Sequence, residues 1–206
     1  MKIPLLYQRT EYDCGPTSLL NAISFLFDLE EIPPDILRYV MMYTLDRYNE
    51  RGEACKNGTS QMAMLFLSNW LNQYAKAKRL GLICEYLSGE QVKVTENSKI
   101  VDTLRQGGTA VVRLFDECWH YVTLTGIMSN TVNMFDPYYF EEPYEEAGIE
   151  TIEDKPFSMN RNVTFEVLNQ TGKQTYSLGP VKSREAVLLY NAATYETSED
   201  TIEYYL

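Results

Sequence analysis

The fold of this chain starts from residues 12–27, which read YDCGPTSLLNAISFLF. The apolar residues in this stretch recur with the period of an α-helix that buries one face. They are Leu19, Leu20, Ile23, Leu26 and Phe27. Asp13 is placed to cap the helix, and Pro16 fits its first turn, where backbone amides have no partner inside a helix. The stretch therefore predicts an amphipathic helix that begins directly after Asp13.

Two more helices are predicted before the pattern changes at Leu82. One begins at Pro34, and the next runs from Ser60, its N-cap, to a stop at Gly81. A short helix is predicted near residues 98–106. The remaining β-prone runs predict strands at 82–87, 109–115, 119–128, 131–136, 162–168 and 186–190.

Helices that precede strands along the chain indicate an α+β fold. We expect one domain over residues 1–206, with a helical part at about 13–81 and a sheet part at about 82–206. The segment 137–156 is rich in Tyr, Pro and Glu and predicts a long loop.

The charge of the chain is concentrated in two segments. The 29 acidic and 18 basic residues give a net charge of -11. Residues 141–154 hold seven acids and residues 196–206 hold four, with no base in either, so the rest of the chain is balanced. Because no basic patch is left to neutralise a phosphate backbone, nucleic acid is not expected as a partner.

The four cysteines lie too far apart for a Cys-x-x-Cys pair of the kind found in zinc and redox sites. One histidine in the whole chain also excludes a zinc hydrolase with several histidine ligands. We therefore expect no metal and no cofactor. No apolar run is long enough for a signal peptide or a membrane span, which favours a cytoplasmic protein with free thiols.

Cys14 is the candidate nucleophile, because the start of a helix favours the thiolate over the thiol. Gly15 removes a side chain beside the sulfur, so another backbone or a substrate could approach it closely. The only imidazole that could serve as base is His120, on a strand whose side chains alternate between two faces. Each residue also has a structural interpretation: a small buried cysteine and a histidine satisfied within the core.

Asp136 is the candidate group for orienting His120. A strict two-residue turn at Ser129-Asn130 would put Asp136 opposite Thr123, on the wrong face of the sheet. The interpretation therefore requires an odd-length turn or a β-bulge, and Asn130 suits the left-handed position that such turns contain. The alternative role for Asp136 is that of a turn-initiating residue before proline.

An oxyanion formed by thiol attack needs donors fixed in advance. The backbone N–H of Cys14 is one candidate, and the side-chain amide of Gln8, six residues upstream, is the other.

These residues resemble those of the papain-like cysteine peptidases, and more narrowly the bacteriocin-processing group. The matching motifs are Gln8, Asp13-Cys14-Gly15-Pro16, His120-Tyr121-Val122 and Asp136-Pro137. The founding members of that group are the double-glycine leader peptidase domains of ABC exporters. Because no transmembrane or nucleotide-binding part is recognised in these residues, we expect a stand-alone member of the group.

The resemblance implies a helical subdomain packed on a twisted antiparallel sheet, with the site in the cleft between them. It also implies that Cys14 is the nucleophile, His120 the general base and acid, Asp136 its orienting group and Gln8 an oxyanion donor.

Three functions stay open on these residues: a cysteine peptidase acting on peptide or amide bonds, an acyltransferase or transpeptidase using the same thioester, and a non-catalytic binding protein. The acidic loop after Asp136 suggests a preference for cationic peptides or amines. A merely solvated acidic face is the alternative explanation.

Overall fold

The computed structural model describes residues 1–140 and 144–195, and it has an antiparallel sheet with helices on both faces. The described helices are α1 Cys14–Leu26, α2 Pro34–Thr44, α3 Gln61–Lys78, α4 Lys99–Arg105 and α5 Phe165–Leu168. The described strands are β1 Leu82–Ser88, β2 Thr109–Asp116, β3 Cys118–Met128, β4 Thr131–Phe135, β5 Ile149–Thr151, β6 Arg161–Thr164 and β7 Glu185–Asn191. Their order across the sheet is β1-β7-β2-β3-β4-β6-β5. The α+β prediction is confirmed.

The sheet separates two apolar cores, and β2 contributes alternate residues to each. Val111 packs with α1, α2 and α3 on one face. Ala110 and Val112 pack on the other face, with α4 and residues of β4 and β6. A central strand buried on both sides is apolar on both faces, which explains the unbroken apolar run at residues 110–112.

Two hydrogen bonds fix the position of α1 along β3. The Ser18 hydroxyl donates to the carbonyl oxygen of Tyr121 over 2.8 Å, and the Thr123 hydroxyl donates to the carbonyl oxygen of Ser18 over 2.9 Å. Ser18 lies one turn after Cys14 and is completely buried. Because both bonds run to one strand, the start of α1 is held at a set distance from the residues of β3.

Two of the predicted element boundaries are wrong. The run 162–168 is a strand only as far as Thr164, whose hydroxyl then caps the short helix α5 by accepting a hydrogen bond from the Val167 amide. The helix predicted to stop at Gly81 ends at Lys78, because Arg79 takes a left-handed conformation with φ 55°.

The segment 137–156 is not a loop throughout, because it contains β5, which pairs with β6 farther along the chain. A strand of three residues is too short to show an alternating pattern, so only its pairing partner reveals it. Among residues 1–140 and 144–195, no helix is both long and apolar enough to cross a membrane.

Candidate active site

Cys14 is the first residue of α1 and is nearly buried. Asp13 stands at the N-cap position, as expected, but its carboxylate does not cap the helix. Instead the carboxylate accepts hydrogen bonds from the backbone amides of Arg9 and Thr10 and from the Thr10 hydroxyl, at 3.1, 2.8 and 2.7 Å. Asp13 therefore orders the turn before the helix and leaves the first-turn amides without a side-chain cap.

The close neighbour of Gly15 within the chain is a side chain, that of Thr59, and not another backbone. A Cβ atom added at Gly15 would lie 2.2 Å from the Thr59 hydroxyl oxygen, well inside van der Waals contact. The glycine thus lets the start of α1 pack directly against the residues that precede α3.

His120 and Asp136 meet because of a β-bulge at Thr125. The turn between β3 and β4 has two residues, but the register shifts by one between Leu124 and Gly126. Beyond the shift Leu124 pairs with Met134, so His120, four residues before Leu124, shares a face with Asp136, two residues after Met134.

The His120 Nε2 and Asp136 Oδ1 atoms are 2.7 Å apart. The left-handed turn residue is Ser129, with φ 57°, and not Asn130 as expected. The bulged Thr125 is itself anchored, since its hydroxyl donates to the carbonyl oxygen of Ser158 over 2.6 Å.

The Asp136 carboxylate is 1% exposed and accepts three hydrogen bonds. His120 and the Tyr138 amide donate to Oδ1, and the Tyr176 hydroxyl donates to Oδ2 over 2.6 Å. Burial works to raise the pKa of Asp136, but His120, Tyr176 and Tyr138 together hold that pKa below its ordinary value. Asp136 is therefore anionic at neutral pH.

Asn160 and Tyr176 support Asp136, and nothing in the sequence singled them out. Asn160 accepts a hydrogen bond from the Asp136 amide over 2.7 Å and donates one to the Asp136 carbonyl oxygen over 2.8 Å. Tyr176 is fully buried in a left-handed conformation with φ 57°, which is uncommon for a bulky residue. Backbone strain of this kind concentrates at functional sites.

The pKa of His120 lies well above its ordinary value. Burial alone would lower this pKa, but the Asp136 carboxylate and the Cys14 sulfur outweigh it. Since Nε2 faces Asp136, Nδ1 is the ring nitrogen left for Cys14. This environment favours a charged imidazolium beside the sulfur.

Gln8 lines the same cleft as Cys14 and His120. Its backbone amide donates to the Pro137 carbonyl oxygen, and its Nε2 donates to the Thr10 carbonyl oxygen, both over 2.8 Å. One Nε2 hydrogen is used in this way, and the second is left for another acceptor. The first bond ties the segment before the cysteine to the residue after Asp136.

The cleft that holds these residues has a volume of about 660 Å³. Among its described residues, the loop after Asp136 lines the cleft with three aromatic side chains, Tyr138, Phe140 and Tyr144, and with none of the acids at 145–154. The described acids that line the cleft are Glu11, Asp116 and Glu117. In the first acidic segment, 141–154, residues 141–143 lie outside the described residues, and the second segment, 196–206, lies outside them entirely.

Comparisons with known proteins leave the family of the chain unassigned. No protein-family model matches it, and no curated protein matches it. Among solved structures, the chain is similar to the peptidase domain of Streptococcus ComA, which is described as a bi-functional ABC transporter involved in a quorum sensing pathway. The identity is 14%, the match covers 91% of this chain and 97% of that one, and the TM-score is 0.45. The function of this chain therefore has to be inferred from the geometry of its own residues.

Proposed function

We propose that this chain is a cysteine peptidase or amide hydrolase that works through a thioester at Cys14. The observation that carries the proposal is the pair of His120 and Asp136, 2.7 Å apart, in which the second ring nitrogen remains for a cysteine at the start of a helix. A nucleophile, a base and a group that orients the base are the parts that covalent acyl transfer requires.

The reaction would begin with the Cys14 thiolate, whose proton has passed to Nδ1 of His120. The sulfur attacks the carbonyl carbon of the substrate and forms a C–S bond, and the carbonyl electrons move to its oxygen. As the tetrahedral intermediate collapses, the C–N bond breaks and His120 gives its proton to the leaving amine. Water, deprotonated by His120, then cleaves the thioester and restores the thiol.

The oxyanion would accept hydrogen bonds from the Cys14 backbone N–H and from the free Nε2 hydrogen of Gln8. Gln8 is held before the reaction starts, because its backbone and its side chain are each bonded to neighbouring carbonyl oxygens. Donors fixed in this way stabilise developing charge without reorganising.

The proposal extends to the charge of the substrate, with a preference for cationic peptides. Asp116 lines the cleft half-buried and accepts a hydrogen bond from Tyr144 over 3.1 Å, and no basic side chain pairs with it within the described part of the chain. Burial raises the pKa of Asp116, and the nearby Asp136 charge adds to this. A positive charge on the substrate would stabilise the half-buried carboxylate of Asp116. The exposed Glu117 would add a second negative charge at the rim of the cleft.

Ionic strength tests this preference, because exposed charges are screened within about 10 Å at 0.1 M salt. Turnover of a lysine-containing peptide should fall as salt is added, and turnover of the matched norleucine peptide should not. Equal salt dependence of the two peptides would exclude an electrostatic preference.

The core proposal is tested by alkylation with iodoacetamide at pH 6. Rapid labelling of Cys14 that is lost in His120→Ala would support a thiolate–imidazolium pair. Cys84 and Cys118 are internal controls, because burial raises the pKa of both thiols. If Cys14 reacted no faster than the exposed Cys55, the chain would be a binding protein and not an enzyme.

A further inference from the structure

Arg113 is a positively charged side chain in the wall of the cleft that the proposed mechanism does not use. It lies on β2 directly opposite Tyr121, the residue that follows His120 on β3. The same side chain lines the cleft that contains Cys14. It is 15% exposed, so most of it is withdrawn from bulk water. Because burying a cation is costly even when it is paired, its presence at this place calls for an explanation.

Two contacts hold the guanidinium in one orientation. Its Nη1 donates to Glu185 Oε1 over 3.0 Å, and its central carbon lies 4.5 Å from the centroid of the Trp119 ring. Glu185 is 1% exposed and is itself bonded to two hydroxyl donors, Tyr121 over 2.6 Å and Tyr86 over 3.1 Å. Because Glu185 is buried and held by three donors, the guanidinium of Arg113 is oriented before a substrate arrives.

One nitrogen of this guanidinium is left for a ligand. Nη1 is bonded to Glu185, and Nε is buried, where a ligand in the cleft does not reach it. Nη2 is not among the buried nitrogens, and it makes no hydrogen bond within residues 1–140 and 144–195. A guanidinium nitrogen can only donate, so Nη2 offers its N–H groups to an acceptor oxygen.

The charges around Arg113 decide which acceptor it fits. Glu185 balances the charge of the guanidinium, so little net attraction is left for a carboxylate. Three acids line the same cleft and would repel an anionic ligand, namely Glu11, Asp116 and Glu117. A neutral carbonyl oxygen needs only a donor in the right place, and the main chain of a peptide presents such an oxygen at every residue.

We infer that Arg113 is a substrate-binding residue whose Nη2 donates to a main-chain carbonyl oxygen of the bound peptide. The inference rests on the proposed function and names the part of the substrate that is recognised. Because the contact is made to main-chain atoms, it holds for peptides of any side-chain sequence. A donor fixed in advance orients the substrate toward the Cys14 sulfur, which is the main benefit of a preformed contact.

The test needs a variant without the guanidinium that still folds. Arg113→Met alone would leave Glu185 buried and charged without its cation, which is strongly destabilising. The comparison is therefore made between Glu185→Gln, which keeps an acceptor oxygen for Nη1, and the double variant Glu185→Gln/Arg113→Met. These two chains differ only at residue 113. Arg47→Met is the matched control, because Arg47 is the other basic side chain among the described residues of the cleft but is exposed.

The experiment compares two reagents at Cys14, a peptidyl chloromethyl ketone with neutral side chains and iodoacetamide, which has no peptide chain to bind. We expect the double variant to react with the peptidyl reagent about 10–100-fold more slowly than Glu185→Gln, the loss typical of one hydrogen bond from a charged group. The iodoacetamide rates of the two should be equal. Arg47→Met should slow the peptidyl reagent by less than about 2-fold, because an exposed charge contributes little. Thermal unfolding of each variant shows that it is folded.

Three results would overturn the inference. One is an unchanged rate of the peptidyl reagent when the guanidinium is removed. The second is an equal loss with both reagents, which would mean that the substitution disturbs the thiolate and not the binding of the peptide. The third is a faster reaction of the unmodified chain with a peptidyl reagent containing glutamate than with its glutamine counterpart, which would assign Arg113 to a carboxylate.

Failure of the proposed function is distinguishable from these results, because it is measured on the unmodified chain without a peptidyl reagent. If Cys14 of that chain reacts with iodoacetamide no faster than Cys55, the proposed function fails and the inference falls with it.

Discussion

Replacing Tyr176 with phenylalanine removes one hydroxyl and nothing else from the buried carboxylate of Asp136. That hydroxyl lies 2.6 Å from Oδ2, and both residues are at most 1% exposed, so water cannot replace the bond. A hydrogen bond to a charged group contributes about 1.5–3 kcal/mol, and we expect Tyr176→Phe to lower the free energy of unfolding by that amount. At about 2–4 °C per kcal/mol for a chain of this size, the midpoint of thermal unfolding should fall by roughly 3–12 °C.

The loss should depend on pH, because the bond holds the pKa of Asp136 below its ordinary value. A carboxyl whose pKa is lowered by folding contributes stability above its unfolded pKa, and this contribution disappears as the pH falls through the folded pKa. The difference between Tyr176→Phe and the unmodified chain should therefore be largest at pH 7 and shrink below about pH 4.

Thermal unfolding followed by circular dichroism at pH 7 and pH 3 measures both effects. Tyr74→Phe is the matched control, because its hydroxyl also donates to a carboxylate, Asp35, but over 3.4 Å and near the surface. This control should cost less than about 0.5 kcal/mol. A loss for Tyr176→Phe no larger than for Tyr74→Phe, or equally large at both pH values, would refute the assigned hydrogen bond to an ionised carboxylate.

Three further outcomes follow from the packing around Cys14. Gly15→Ala should destabilise the chain by about 1–3 kcal/mol, because the added Cβ atom collides with Thr59. In a denaturant titration the double variant with Thr59→Ala should recover most of that loss, and no recovery would show that the collision with Thr59 is not its cause. Ser18→Ala should lower the free energy of unfolding by about 1–3 kcal/mol, because it removes the hydroxyl that donates to Tyr121 on β3, while the bond from the Thr123 hydroxyl to the Ser18 carbonyl oxygen remains. It should also slow iodoacetamide labelling of Cys14, and an unchanged labelling rate would show that α1 does not need this hydrogen bond to stay in place. Because the pKa of His120 is raised, its contribution to stability is fully present below its unfolded pKa and is lost as the pH rises through the folded pKa, so His120→Ala should cost more at pH 6 than at pH 10 in thermal unfolding. An equal cost at both pH values would contradict a charged imidazole.

Local sequence patterns predicted the helices well, because the signals that start a helix lie within a few residues of it. Ser60 is an N-cap whose hydroxyl accepts from the Ala63 amide, and Pro34 is the first residue of α2. Local sequence patterns predicted strands less well, because a strand depends on a pairing partner that is distant along the chain. β5 is recognisable only from its pairing with β6, and the strand predicted to run to residue 168 gives way to a helix at Phe165.

The residues proposed for chemistry could be named from the sequence because their types are rare or specifically placed. A single histidine leaves one candidate base, and a cysteine at the start of an amphipathic helix is a candidate nucleophile without reference to the rest of the fold. Register arithmetic also showed that Asp136 reaches His120 only through a bulge or an odd-length turn. Local sequence patterns could not predict which of the two occurs, because the bulged Thr125 is held by the carbonyl oxygen of Ser158, 33 residues away.

The sequence by itself determined the α+β order of elements, the start of α1 at Cys14 and the choice of His120 and Asp136. Only the tertiary structure decided how these groups are held: by Tyr176 at a separation of 40 residues, by Ser18 against Tyr121 at 103, and by Thr59 packed on Gly15. The physical reason is that helix caps and periodic faces act over one or two turns, whereas bulges, buried hydroxyls and close contacts depend on partners that become neighbours only when the whole chain packs.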